Sequence, residues 1–190
     1  MVGGGRFTVA AVAALAVVAA LGGCASDTRS ASERQVTLAQ SKSYAQLLRN
    51  EASSRLPEIV LKQVAESTDV SVACDDTDPP GLSRSWSSSM SILVSNSTAA
   101  RIQKVADDLA ASFVEQGWKA KHTDESTDTL VVTTLRSATS LADIAITATS
   151  KGAEQAPSIQ ITATGVCALT GGPDSDEVTT LEQQDPANAG

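Results

Sequence analysis

The sequence predicts an α+β domain, an antiparallel sheet of about five to six strands with helices packed on one face. Three patterns predict it. Apolar residues recur at spacings of three and four in two separate stretches, the period of amphipathic helices. Several later segments alternate apolar with hydroxylic residues, the period of a strand with one buried face. The connections between those segments are short and rich in Ser, Asp and Gly, as hairpin turns require.

In chain order, Tyr44, Leu47, Leu48, Ala52, Leu56, Ile59, Val60 and Val64 form the first helical stripe. Pro57 interrupts it, so a kink or a junction of two helices is expected there, because proline removes a helical hydrogen bond and clashes with the preceding turn. Residues 70–74 alternate and are β-branched, which predicts a strand with Val70, Val72 and Cys74 on one face. Trp86, Ser88, Met90, Ile92 and Val94 then alternate with Ser87, Ser89 and Ser91, predicting a second strand with a buried and a wet face. Asn96 or Ser97 caps a helix whose core side is Ile102, Val105, Ala106, Leu109, Ala110 and Phe113. Gly117 terminates it, and Trp118 folds back on its last turn. Strands over residues 118–122, 129–136, 141–149 and 158–168 complete the sheet. In the last two, Ile144, Ile146, Ala148, Ile159, Ile161, Ala163 and Cys167 alternate with threonines and Gln160. The polar set forms a hydroxyl-rich outer face, either a binding surface or a solvated face of good β-propensity; the solvated reading is the simpler.

Composition excludes several functions. With Lys+Arg 14 against Asp+Glu 22, the net charge of -8 repels phosphate backbones, so no nucleic-acid partner is expected. Beyond Phe7 the aromatic residues are Tyr44, Trp86, Phe113 and Trp118, too few for a stacking groove. His122 is the sole histidine, which excludes zinc sites built from two or more. No metal or cofactor is expected. A calcium loop started at Asp76 meets Pro80 at its fifth position and Ser87 at the terminal glutamate position. Asp107 and Asp108 are consecutive on a helix and point to different faces. Neither a Gly-x-Ser-x-Gly elbow nor a Ser-x-x-Lys set with its companion motifs is assembled, so catalysis is not expected. A small hydrolase using His122 is the enzymatic alternative, and it requires a serine and an acid brought beside that ring.

The N-terminus carries an address. Arg6 precedes an uncharged run from Phe7 to Leu21, about 22 Å long as a helix against a hydrocarbon core of about 30 Å, which suits a cleaved signal better than a span. Leu21-Gly22-Gly23-Cys24 resembles the lipobox of bacterial lipoproteins. The resemblance implies that residues 1–23 are a signal peptide and that the Cys24 thiol carries diacylglycerol, with the new amino terminus acylated. Two or three acyl chains anchor stably where one is marginal. With its abundant alanine and brief leader, the chain looks like a small actinobacterial envelope lipoprotein. The membrane is then the first expected partner, through the lipid on the extracytoplasmic face, and an envelope protein the second.

Setting Cys24 aside leaves Cys74 and Cys167. In an oxidising compartment these are expected to pair rather than remain two buried thiols. The bridge closes a loop of 93 residues, for which chain entropy gives about 4–5 kcal/mol. Residues 24–42 are rich in Ser, Thr and Ala and read as the lipidated cysteine and a flexible tether. Residues 43–169 form the single domain, and 170–190, with Gly, Pro and acid and little to bury, a disordered tail. The expected function is a non-enzymatic binding or interaction module of the envelope. The alternative is a carrier of an apolar or amphipathic small molecule between helices and sheet, in which Ala106, Ala110, Ala142, Ala145, Ala148 and Ala163 line a cavity instead of packing closely.

Overall fold

The computed structural model describes residues 36–58, 61–74, 81–94, 98–122, 130–150 and 157–184. Cys24 with its leader and most of the tether, the Asp75–Asp78 run, and Asn96 and Ser97 lie outside them.

Thr37 opens helix α1 (Leu38–Ser54) with a capping box: its Oγ accepts from the Gln40 N–H at 3.2 Å, and Gln40 Oε1 accepts from the Thr37 N–H at 3.0 Å. The helix buries Leu38, Ser41, Ala45, Leu48, Arg49 and Ala52. This corrects two expectations. The fold begins inside the segment assigned to the tether, and the buried stripe is rotated from the expected one, leaving Tyr44 and Leu47 exposed. Close approach to the sheet is the reason. A Cβ added at Gly165 meets the Ser41 carbonyl oxygen at 2.5 Å, so small residues must face the contact.

The helix ends before Pro57, as proline requires. In place of a second helix the chain forms strand β1 (Leu61–Ala73), antiparallel to β2 (Ser83–Val94) along its whole length. Ladder pairing with a 12-residue partner overrides the helical spacing that ends at Val64; Ile59 and Val60 lie outside the described residues. Helix α2 (Ala99–Val114) buries all six expected core residues, although Thr98 supplies its cap, accepting from the Arg101 N–H at 3.3 Å. Gly117 takes φ +89°, and Trp118 meets the Phe113 ring edge-on at 5.4 Å.

Strands β3 (Lys119–His122), β4 (Leu130–Arg136), β5 (Ala142–Thr149), β6 (Ser158–Gly165) and β7 (Ala168–Leu169) complete an antiparallel sheet in the order β1-β2-β6-β5-β4-β3, with β7 also pairing β2. The α+β class holds. α1 lies over β2, β6 and β5, and α2 over β5, β4 and β3, sealing a core of Trp86, Phe113, Leu135 and the isoleucines of β2, β5 and β6.

The tail is also corrected. Residues 176–183 form helix α3 (Asp176–Gln183), with Val178 1% exposed and Leu181 packed on the core. Two long-range bonds hold it: Lys42 Nζ donates to the Leu181 carbonyl at 2.6 Å, and the Ser71 N–H, on the outer edge of β1, donates to Glu182 Oε1 at 3.0 Å. Asp176 and Glu177 in its first turn favour the positive end of its dipole. An eight-residue helix with two apolar anchors has too little periodicity to announce itself, and contacts distant in sequence order it. The folded unit thus runs from about 36 to 184, wider than 43–169. No helix among the described residues is long and apolar enough to cross a membrane.

Candidate binding face

Alternation along each strand sends one set of side chains under the helices and the other to the opposite face, which no helix among the described residues covers. Register turns that second set into transverse rows. One runs Thr68, Ser89, Thr162, Ala145, Thr134, Lys121 from β1 to β3. The next runs Val70, Ser87, Thr164, Asp143, Arg136, Lys119, with Arg136 Nε bound to Asp143 Oδ2 at 3.0 Å. A third holds Glu66, Ser91, Gln160, Thr147 and Val132. Thr68 Oγ1 and Ser89 Oγ bond to each other at 2.6 Å. At about 4.8 Å per strand the first two rows are about 24 Å long and the third about 19 Å. The first two end in Lys119, Lys121 and Arg136, a cationic margin on a chain of net charge -8, and the third ends at Val132.

Where β5 begins, beside the Arg136–Asp143 pair, the face deepens into a recess of about 430 Å³, lined by Val72, Ser85, Asp143, Thr164 and both residues of the Cys74–Cys167 disulfide among others. The bridge spans β2: the Cys74 N–H donates to Ser83 O at 2.9 Å on one side, and Ala168 pairs with Arg84 on the other. It staples two strands that share one neighbour, with Cα atoms 6.1 Å apart.

Beneath the opposite side of β1 and β2 lies a polar cluster that sequence patterning did not reveal. Asp69, 2% exposed, accepts from Trp86 Nε1 at 2.9 Å and Gln46 Nε2 at 3.1 Å through Oδ1, and from Arg49 Nη1 at 2.7 Å through Oδ2. Arg49 also donates to Ser67 Oγ and Asn50 Oδ1, and Lys42 Nζ sits 4.4 Å above the Trp86 ring. Each donor has an acceptor, so the cluster fixes α1 and the indole to the sheet. Ser88, directly opposite Asp69, has a fully buried hydroxyl with no hydrogen-bond partner.

Among the expected site residues, Cys74 and Cys167 are joined. His122 is the last residue of β3, paired in register with Thr133, and its side chain lies outside the described residues. Asp107 and Asp108 are solvated, accepting from Gln103 and Lys104 one turn earlier. Ala106, Ala110, Ala142, Ala148 and Ala163 are all under a tenth exposed, while Ala145 sits in an outer row. Lys119, Lys121 and Arg136 do not stand out in the sequence; only the register of β3 on β4 brings them together, and short alternation in Lys119–His122 was the available signal. What this arrangement can do chemically is hydrogen-bond and pair charge across the strands.

No protein-family model matches the chain, and no curated protein matches it.

Proposed function

We propose that the chain is a membrane lipoprotein of the extracytoplasmic envelope, held by acyl chains on Cys24, and that its domain works by binding, without catalysis, through the open face of the sheet. The observation that carries the binding reading is the asymmetry of that sheet. One face is sealed under α1 and α2; the other offers ordered rows of hydroxyls ending in three cations. Side chains on a hydrogen-bonded sheet are held at fixed spacing, so a ligand meets groups already ordered and their immobilisation costs little at binding. The Cys74–Cys167 bridge is compatible with an oxidising compartment and supports placement outside the cytoplasm.

The test is site-specific photo-crosslinking in the native host. A photoreactive residue at Ser91 or Thr147, on the open face, is expected to yield a high-mass adduct, and one at Asp107, on the solvent side of α2, is expected to yield none. Adducts from neither face position, or equally from Asp107, would refute a binding role for the face. Carriage of a small molecule is the second reading; the recess of about 430 Å³, within the range of about 300–1,000 Å³ common for ligand pockets, supports it at a different place from the expected one, beside the disulfide and not between helices and sheet, with Ala142 alone of the named alanines in its lining.

A further inference from the structure

We infer that the ligand of the open face is an anionic glycan, a carbohydrate polymer bearing carboxylates, laid across the strands with acid groups at Lys119, Lys121 and Arg136. The inference rests on the binding reading above and specifies its ligand.

Charge selects the anion. Among the described residues the β3–β4 margin carries three cations against Asp143, in a chain that is otherwise acid-rich, so these three side chains favour an anion. Arg136 selects the carboxylate. Its side chain is 75% exposed and already binds one carboxylate, Asp143, through Nε. A guanidinium carries five donors in a fork shaped for this group, so its terminal nitrogens match a second. The hydroxyl rows select a polyol. Serine and threonine both donate and accept, as sugar hydroxyls do, and register repeats them strand after strand. The rows contain no aromatic side chain, so neutral sugar rings find no stacking platform and affinity depends on charge. The same lack of an aromatic anchor makes the face unlike the centre of a protein interface.

The experiment titrates the full-length chain in non-ionic detergent with oligogalacturonate of defined length at low salt, with neutral dextran oligomers as control. Saturable binding to oligogalacturonate alone is expected. Lys119→Glu with Lys121→Glu weakens it at least tenfold, Lys119→Gln with Lys121→Gln serves the same purpose if charge reversal disturbs the edge strand, and Thr162→Val weakens it about threefold at unchanged circular dichroism. Raising salt until the Debye length falls to a few ångströms abolishes it. No binding, equal binding of dextran, or full binding by the folded lysine variants overturns the inference. If oligogalacturonate fails while Ser91 still crosslinks to a protein, the glycan is wrong and the binding role stands; if both fail, both fall.

Discussion

Replacing Asp69 with alanine removes the acceptor from three donors at once, and the structure sets the expected cost. The carboxylate is 2% exposed and Arg49 only 9%, so the variant leaves a guanidinium with little access to water and without its counter-charge. Breaking such a buried pair costs about 3–5 kcal/mol. The Trp86 indole N–H, on a residue with no exposure, adds the penalty of an unmade buried hydrogen bond, about 1–3 kcal/mol. Two features reduce the total: Arg49 keeps Asn50 Oδ1 and Ser67 Oγ, and Gln46 is only partly buried, so its amide can turn to water. We therefore expect a loss of about 4–5 kcal/mol, a large share of the 5–15 kcal/mol that holds a typical domain, and a fall in Tm of about 10–15 °C. Urea unfolding followed by tryptophan fluorescence and far-ultraviolet circular dichroism measures it. The companion variant, Arg49→Met with Asp69→Leu, removes both charges and recovers most of the loss, because well-packed apolar groups replace a buried ion pair at little cost. A loss below about 1 kcal/mol for Asp69→Ala refutes the reasoning, since it means water reaches the cluster.

Other perturbations have equally definite outcomes. Ser88→Ala deletes a buried hydroxyl that has no partner, so it is expected to be neutral or to raise stability by up to about 1 kcal/mol, read as a higher urea midpoint; a drop of that size contradicts the assignment. Gly165→Ala puts a methyl 2.5 Å from the Ser41 carbonyl oxygen and must push α1 off the sheet, costing about 1–3 kcal/mol; an unchanged Tm contradicts the close approach. Reducing Cys74–Cys167, or Cys74→Ser with Cys167→Ser, frees a closed loop of 93 residues and is expected to cost up to about 4–5 kcal/mol in thermal or urea melts. Cys24→Ala is expected to abolish incorporation of an alkyne-tagged palmitate and to move the protein from the detergent phase to the aqueous phase; retention of label on the variant removes the lipid anchor.

What was legible in the chain was what is encoded locally. α2 has a single apolar side, a hydroxylic cap just before it and Gly117 just after, and its core residues follow from period alone. β5 and β6 alternate cleanly because one face is covered by helices, while β2 breaks the pattern at Ser85 and Trp86, both buried. β1 was half hidden, since its N-terminal part owes its conformation to β2 and not to its own residues, and Val64 continues a helical spacing by coincidence while lying exposed on a strand. α1 overlaps the expected helix from Tyr44 to Ser54 but starts earlier, at Leu38, and is rotated, because Gly165 on a strand more than a hundred residues away decides which helix face can approach. The Asp69 cluster and the cationic margin were invisible for the same reason: Arg49 with Asp69, and Lys119 with Arg136, meet only through tertiary packing or strand register. The hydroxyl-rich face was legible as a pattern, but its ordering into rows with charge at one end depends on the order β1-β2-β6-β5-β4-β3, which departs from chain order.

The two outer strands of the sheet bear on how many copies can share one surface. A 13-residue strand with bare main-chain groups is a template on which a neighbour's strand can add. β1 is defended along its length: its register shifts between Leu61 and Gln63 and again between Val64 and Glu66, it turns the charge of Asp69 inward, and Glu182 occupies the outward N–H of Ser71. β3 is only four residues long and places Lys119 and Lys121 along the opposite border. Both borders of the sheet therefore disfavour the addition of a further strand.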